Sequence, residues 1–224
     1  MSNISSNSIF HFTRTENTLK SILTQGLRFS PVGEKIPGTN IMYLVDALCF
    51  CDIPLSAIRE HVEWYGSYAI GFKPSFVKAN GGTPVCYVHS STVFLKGIKN
   101  KLDFFSSSAI TPYLKQNYGQ QHKRYARKLR FKNFYDEKEW RIVDSRKECL
   151  VYRFTDREDI RQAVSDEKMA TSPRYLAIDY SMIDYIILKE KKEVALFKQW
   201  LQSNGIMLPE DAVIISAEKI LKDF

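Results

Sequence analysis

Hydrophobic positions along the chain change period several times, and each change marks an element. Ile9-Phe10-His11-Phe12 reads as a short strand, and Thr13-Arg14-Thr15-Glu16 after it has capping-box spacing. Leu19, Ile22 and Leu23 then recur at helical intervals and Leu27 continues the stripe, so the pattern predicts a helix that Gly26 stops in the left-handed region. Turn residues dominate Ser30-Pro31-Val32-Gly33 and Pro37-Gly38-Thr39-Asn40, which read as loop. Met42 to Cys51 reads as extended. Asp52-Ile53-Pro54 supplies a cap and an initial proline for a second helix that turns Leu55, Ile58 and Val62 inward and ends near Tyr65-Gly66.

Tyr68 to Phe72 is a strand candidate, Pro74 opens a short helix closed by Gly81-Gly82, and Val85 to Val88 is a β-rich run. Residues 90–120 read as mostly helical. Cys149 to Phe154 reads as a hairpin partner of the strand before it, and residues 156–172 as polar helix or loop. Tyr185 to Leu188 is a strand, Glu193 to Leu201 an amphipathic helix stopped near Asn204-Gly205, and Ala212 to Ser216 a final strand. No repeat or low-complexity linker divides the chain. The expectation is a single α+β domain over 1–224, with 175–224 as a C-terminal β-α-β elaboration.

Residues 135–141, Tyr-Asp-Glu-Lys-Glu-Trp-Arg, read as a strand. Alternation would send Tyr135, Glu137, Glu139 and Arg141 to one face and Asp136, Lys138, Trp140 and Ile142 to the other. Such an ionic face has two meanings. It is a solvated edge strand, or a cleft floor whose Glu-x-Glu pair offers acid, base or cation-stabilising chemistry.

At 224 residues with 44% hydrophobic content, the chain can build a substantial core. Its longest apolar runs are far too short to span a bilayer, and its first residues lack the basic and apolar regions of a signal peptide, so no membrane and a cytoplasmic location are expected. Cys49 and Cys51 lie one residue apart, Cys86 and Cys149 stand alone in apolar sequence, and zinc spacing is absent, which reads as small core residues. The formal net charge of +7 admits nucleic acid, an acidic protein or a phosphate-bearing ligand. Within 122–132, His122, Lys123, Arg124, Arg127, Lys128, Arg130 and Lys132 interleave with Tyr125, Leu129 and Phe131. That segment is either a nucleic-acid footprint or a solvated helix with an apolar stripe. No dinucleotide-binding Gly-x-Gly-x-x-Gly, nucleophile elbow or His-Glu-x-x-His helix occurs. Gly66 to Gly71 has P-loop glycine spacing, but Phe72 stands where the lysine is needed.

Three blocks go beyond local pattern: Phe10-His11-Phe12-Thr13 with the helix to Gly26-Leu27; Cys49-Phe50-Cys51-Asp52-Ile53-Pro54-Leu55-Ser56 with His61, Tyr65-Gly66 and Ile70-Gly71; and Tyr135-x-Glu137-x-Glu139-Trp140-Arg141. On these blocks the chain resembles the AbiGi family of abortive phage-resistance proteins, described as antitoxins. That implies phage defence and a partner toxin neutralised by protein contact.

The opening His11-x-Thr13, its leucine-bearing helix and Gly26-Leu27 also resemble the first block of DarT-type ADP-ribosyltransferases. This second resemblance implies an ADP-ribosyltransferase-like split or mixed β-sheet core flanked by helices, with NAD as substrate and ADP-ribose passed to a macromolecule, nucleic acid first among candidates. His11, Thr13, Tyr65 and Arg141 would hold NAD, Glu139 would stabilise the oxocarbenium-like sugar, and Glu137 would assist the nucleophile; the alternative for Arg141 is an ion pair with Glu137 or Glu139. The second-block arginine and Ser-Thr-Ser strand of those enzymes have no counterpart here, so an inactive transferase-like scaffold is the alternative. His11 is equally readable as a structural histidine, Trp64 and Tyr65 as core, and His61 as a cap partner.

Overall fold

A computed structural model describes residues 6–89, 102–122, 129–153, 162–167 and 172–223, without the side chains of 102, 120–122 and 129. Its strands, in chain order, are β1 (Ile9–Thr13), β2 (Leu27–Arg28), β3 (Ser30–Lys35), β4 (Ile41–Cys51), β5 (Tyr68–Phe72), β6 (Thr83–Pro84), β7 (Cys86–Val88), β8 (Leu114–Gln116), β9 (Tyr118–His122), β10 (Leu129–Asn133), β11 (Glu139–Val143), β12 (Leu150–Arg153), β13 (Tyr175–Leu176), β14 (Ile183–Leu188) and β15 (Val213–Ser216). The helices include α1 (Glu16–Gln25), α2 (Ile58–Tyr65), α3 (Pro74–Ala79), α4 (Leu102–Ser107), α5 (Glu193–Ser203) and α6 (Ala217–Asp223), and residues 162–167 are helical as well. The fold is α+β with mixed strand pairing. Its described residues fall into two units, one within Met1–Leu27, Cys49–Gly82 and Tyr175–Phe224, the other within Arg28–Leu48 and Thr83–Arg174.

In the first unit β1 pairs antiparallel with β5 over its whole length, from Ile9 opposite Phe72 to Thr13 opposite Tyr68. β5 pairs in turn with β14, and β14 with β15 in parallel, α5 forming the crossover between them. Phe10, Ile53, Ile58, Ala69, Ile187 and Ile220 bury the face beneath α2 and α6.

Two local expectations change here. Thr13 is held in the β1 ladder, so Thr15 caps α1 instead, its side chain accepting from the Thr18 N–H at 3.1 Å. Asp52 does not cap the second helix, because its Oδ1 accepts the Ser6 N–H at 2.8 Å; a 3-10 turn, Leu55–Ala57, leads into α2.

Gly66 ends α2 with φ +121, and a Cβ there would collide with the Thr13 carbonyl oxygen. Gly66→Ala therefore combines a forbidden φ with a backbone clash that no rotamer relieves. It is expected to cost at least about 2 kcal/mol, read as a fall in the midpoint of denaturant unfolding.

In the second unit the predicted loop at Ser30–Gly33 is part of β3, which pairs antiparallel with β4 from Ser30 opposite Ala47 to Lys35 opposite Met42. Among the described residues its ladder runs to β4 alone, and an edge position of that kind accommodates Pro31 and Gly33. β12 pairs with β4, Leu150 opposite Leu44, and not with the Glu-x-Glu strand as predicted. β4 is thus flanked on both sides over Met42 to Leu44, in keeping with its near-continuous apolar sequence.

Of the predicted helix at 90–120, α4 is the part observed. Residues 114–116 and 118–122 are strands, and 90–101 lie outside the described residues. The basic segment is not a helix either: β9 and β10 form an antiparallel ribbon, Tyr118 opposite Asn133, with 123–128 outside the described residues. Cys86 is exposed, Cys149 half-buried and Cys51 buried. Ile36, Ile41, Tyr43, Val45, Phe105 and Leu114 form the core of this unit.

Candidate functional site: a buried ionic cluster around Lys115

The strand predicted from Tyr135 onward does not begin there. The N–H groups of Phe134 and Tyr135 both reach the Asn117 carbonyl, at 2.8 and 3.3 Å, and the Lys138 N–H bonds back to Tyr135 O, so the chain curls into a 3-10 turn, Phe134–Glu137. Lys138 sits in the left-handed region with φ 42, and β11 starts at Glu139. Tyr135 is consequently 58% exposed and does not share a face with the acids.

Glu137, Glu139 and Arg141 are nevertheless gathered, and deeply. Their relative exposures are 3%, 5% and 0%, which overturns the reading of a solvated edge strand. Lys115, on β8, is the hub: its Nζ lies 2.6 Å from Glu137 Oε2 and 2.5 Å from Glu139 Oε2. Lys132, on β10, holds the other oxygen of Glu137 at 2.6 Å. Arg141 donates from Nη2 and Nε to Glu139 Oε1 at 2.7 and 3.0 Å, and from Nη1 to Tyr43 Oη at 2.7 Å and Pro112 O at 2.6 Å. The Tyr43 hydroxyl in turn donates to Leu114 O at 2.7 Å. Glu34 approaches from β3, 3.5 Å from Arg141 Nη2 and 3.7 Å from Lys115 Nζ. The Glu139 N–H donates to the Tyr87 hydroxyl at 2.7 Å.

Three carboxylates therefore face three cations. Burial pushes the Glu139 carboxyl up, but Lys115 and Arg141 together outweigh it and hold its pKa at about 2. Glu137 follows the same balance, burial opposed by Lys115 and Lys132, and is also lowered. For Glu34 burial prevails over the more distant Lys115 and Arg141, and its pKa is raised. An acid or base working near neutral pH needs a matching pKa and an approachable oxygen. Glu139 has a low pKa, and both of its oxygens are engaged by cations.

The remaining predicted residues belong to the first unit. His11 Nδ1 lies 2.8 Å from Cys49 O, which assigns it as the donor, and its ring meets Phe50 edge-on at 5.6 Å. Burial lowers the His11 pKa against the raising effect of that bond. Thr13 is buried at the end of β1 and Tyr65 is half-buried at the end of α2, its ring 4.9 Å from His61, which also packs on Phe12 at 5.2 Å. Trp64 donates from Nε1 to Glu60 Oε1 at 3.3 Å. Cys49 and Cys51 join no group of three or more metal-ligating side chains among the described residues. A groove of about 500 Å³ in this unit, lined by Val194, Ala195, Lys198, Val213, Ile215 and Lys219 among others, contains none of the predicted site residues.

Pattern reasoning missed Lys115, Tyr43 and Glu34, and it read Lys132 as part of a nucleic-acid footprint or a solvated helix, whereas it is buried on Glu137. A lysine between a buried leucine and a half-buried glutamine in Leu114-Lys115-Gln116 carries no local mark of its role, which depends on contacts made more than twenty residues away.

With this geometry in hand, comparison with known proteins places the chain. The family model described as "Putative abortive phage resistance protein AbiGi, antitoxin" matches residues 44–189, and the chain belongs to that family. It is similar to the abortive phage resistance protein AbiGi of Lactococcus lactis subsp. cremoris, 24% identical over 213 residues that cover 78% of this chain and 85% of the lactococcal protein. No solved structure matches significantly. Among the described residues no helix is long and apolar enough to cross a membrane.

Proposed function

We propose that the protein is the antitoxin of an abortive-infection pair, neutralising a partner toxin by protein contact, and that the Glu-x-Glu segment is the ionic core of its second unit. One observation carries this reading: Glu137 and Glu139 are buried and engaged by Lys115, Lys132 and Arg141, so their charge is already spent on the fold. Stabilising a sugar cation with Glu139 would require it to exchange both Lys115 and Arg141 for substrate, and exposing or unpairing buried charges of this kind costs several kcal/mol. The family description points the same way.

The test is co-expression with the product of a neighbouring gene that arrests growth when expressed alone. Restored growth and a complex that survives gel filtration are expected, together with no release of nicotinamide from NAD. If growth is not restored and no complex forms, the antitoxin reading falls. Nicotinamide release that disappears in a folded Glu139→Gln variant would establish the ADP-ribosyltransferase instead, with Glu137 beside Glu139 and with His11, Thr13, Tyr65 and Arg141 as the residues to examine for NAD.

A further inference from the structure

β15 stands at one end of its sheet, and among the described residues its ladder runs to β14 alone. Its other side carries backbone N–H and C=O groups that need a partner or water. The groove of about 500 Å³ follows that side. All four residues of β15, Val213 to Ser216, line it, although successive side chains of a strand point to opposite faces. A groove over one face alone would meet every second residue. A further groove of about 220 Å³ shares Lys198 and Ile214 with the first and adds Ile206, Leu208 and Ala212.

The lining selects the occupant. Val194, Ala195, Val213 and Ile215 give it an aliphatic surface with no aromatic ring for a base to stack on, which sets nucleic acid aside. The charged residues that line the two grooves are lysines throughout: Lys191, Lys198 and Lys219. Carboxylates near them in sequence are already engaged. Glu190 holds Lys189 and Lys192, Glu218 holds Lys222, Asp223 holds Lys219, and Glu193 accepts from the Tyr68 hydroxyl. Glu210 and Asp211, exposed ahead of β15, line neither groove. Lys191 and Lys198 therefore present positive charge that these pairs do not cancel. A second copy of this chain is a poor occupant, because pairing β15 with β15 would bring the lysines of both copies together.

We infer that β15 is a docking edge for an acidic, apolar segment of a partner protein, which adds as a further strand with its apolar side chains in the groove and its carboxylates on Lys191 and Lys198. The bearer of that segment is the toxin of the reading above, and to that extent the inference rests on it. The test is fluorescence anisotropy of the full chain with a short labelled peptide alternating valine and glutamate, and with its valine–lysine counterpart. The acidic peptide is expected to bind, more weakly as salt is raised, and the basic one not to bind. Amide hydrogen exchange should slow at Val213–Ser216 in the bound state. Lys191→Glu with Lys198→Glu should lower the acidic peptide's affinity at least about tenfold and admit the basic peptide, with the unfolding midpoint unchanged because both side chains are exposed. Absence of acidic-peptide binding overturns the inference, as does binding that the double variant retains in full. Binding without slowed exchange in β15 also overturns it, since the contact would then be through side chains alone. A toxin complex that survives undiminished in the double variant would overturn the inference and leave the antitoxin reading in place. Failure of the unsubstituted chain to form that complex would overturn the antitoxin reading, and the peptide result would still decide the docking edge.

Discussion

Arg141→Met is expected to destabilise the protein by about 3–5 kcal/mol, the largest loss of any single change at the cluster, measured by chemical denaturation at neutral pH. Methionine replaces much of the arginine stem, so the loss is not chiefly a cavity. It arises because Arg141 is fully buried and supplies donors to Glu139, Tyr43 and Pro112 at once. Without it, Glu139 keeps Lys115 as its close cation, and Lys115 must also serve Glu137. Arg141→Lys should fall between the two, since it keeps the charge but a single ammonium cannot reproduce the guanidinium fork. Adding Glu139→Gln to Arg141→Met should recover part of the loss, because the carboxylate stranded by the first change is then neutral. A loss below about 1 kcal/mol for Arg141→Met would place the cluster in effectively solvated surroundings and remove the argument for a structural core.

The elements visible in the sequence are those built by local periodicity and punctuated by glycine. The Leu19, Ile22 and Leu23 stripe, the β5 strand, the Pro74 helix and the β14–α5–β15 crossover all form where the pattern put them, and Gly26, Gly66 and Gly205 have the positive φ that stops each helix. What was hidden depends on partners distant in sequence. β3 carries Pro31 and Gly33 and looks like loop until β4 is laid beside it. The alternation in β10 was obscured by its basic residues, and the choice of β4 over β11 as the partner of β12 is not written in either strand. The site was half legible for an instructive reason. Strand alternation correctly grouped Glu137, Glu139 and Arg141, although residues 134–137 are a turn. The two acids meet because Lys115 draws one oxygen of each to the same nitrogen, not because they alternate along a ladder.

Acid should unfold the protein through this same cluster. Glu139 has a folded pKa of about 2 against an ordinary value of 4.5, so its contribution is fully present above about pH 4.5 and is lost as pH falls through 2, amounting to on the order of 3 kcal/mol. Glu137, also lowered, acts in the same window and direction. Glu34 has the opposite sign: its raised pKa makes its ionised form a burden at neutral pH that is relieved as it takes a proton, which softens the onset of the decline. His11, lowered from 6.5, must stay neutral in the fold, so a loss begins below about pH 6.5, where the unfolded chain takes up the proton first. Unfolding free energies measured from pH 7 to pH 2 are therefore expected to fall gently at first and steeply below about pH 4.5. Glu139→Gln should start lower at neutral pH, decline less steeply below pH 4.5, and approach the unsubstituted protein near pH 2, where Glu139 is about half protonated and little of its ionic contribution is left. Two curves that stay parallel from about pH 5 to pH 2 would mean that Glu139 titrates as an ordinary solvated carboxylate, and the proposed ionic core would have to be abandoned.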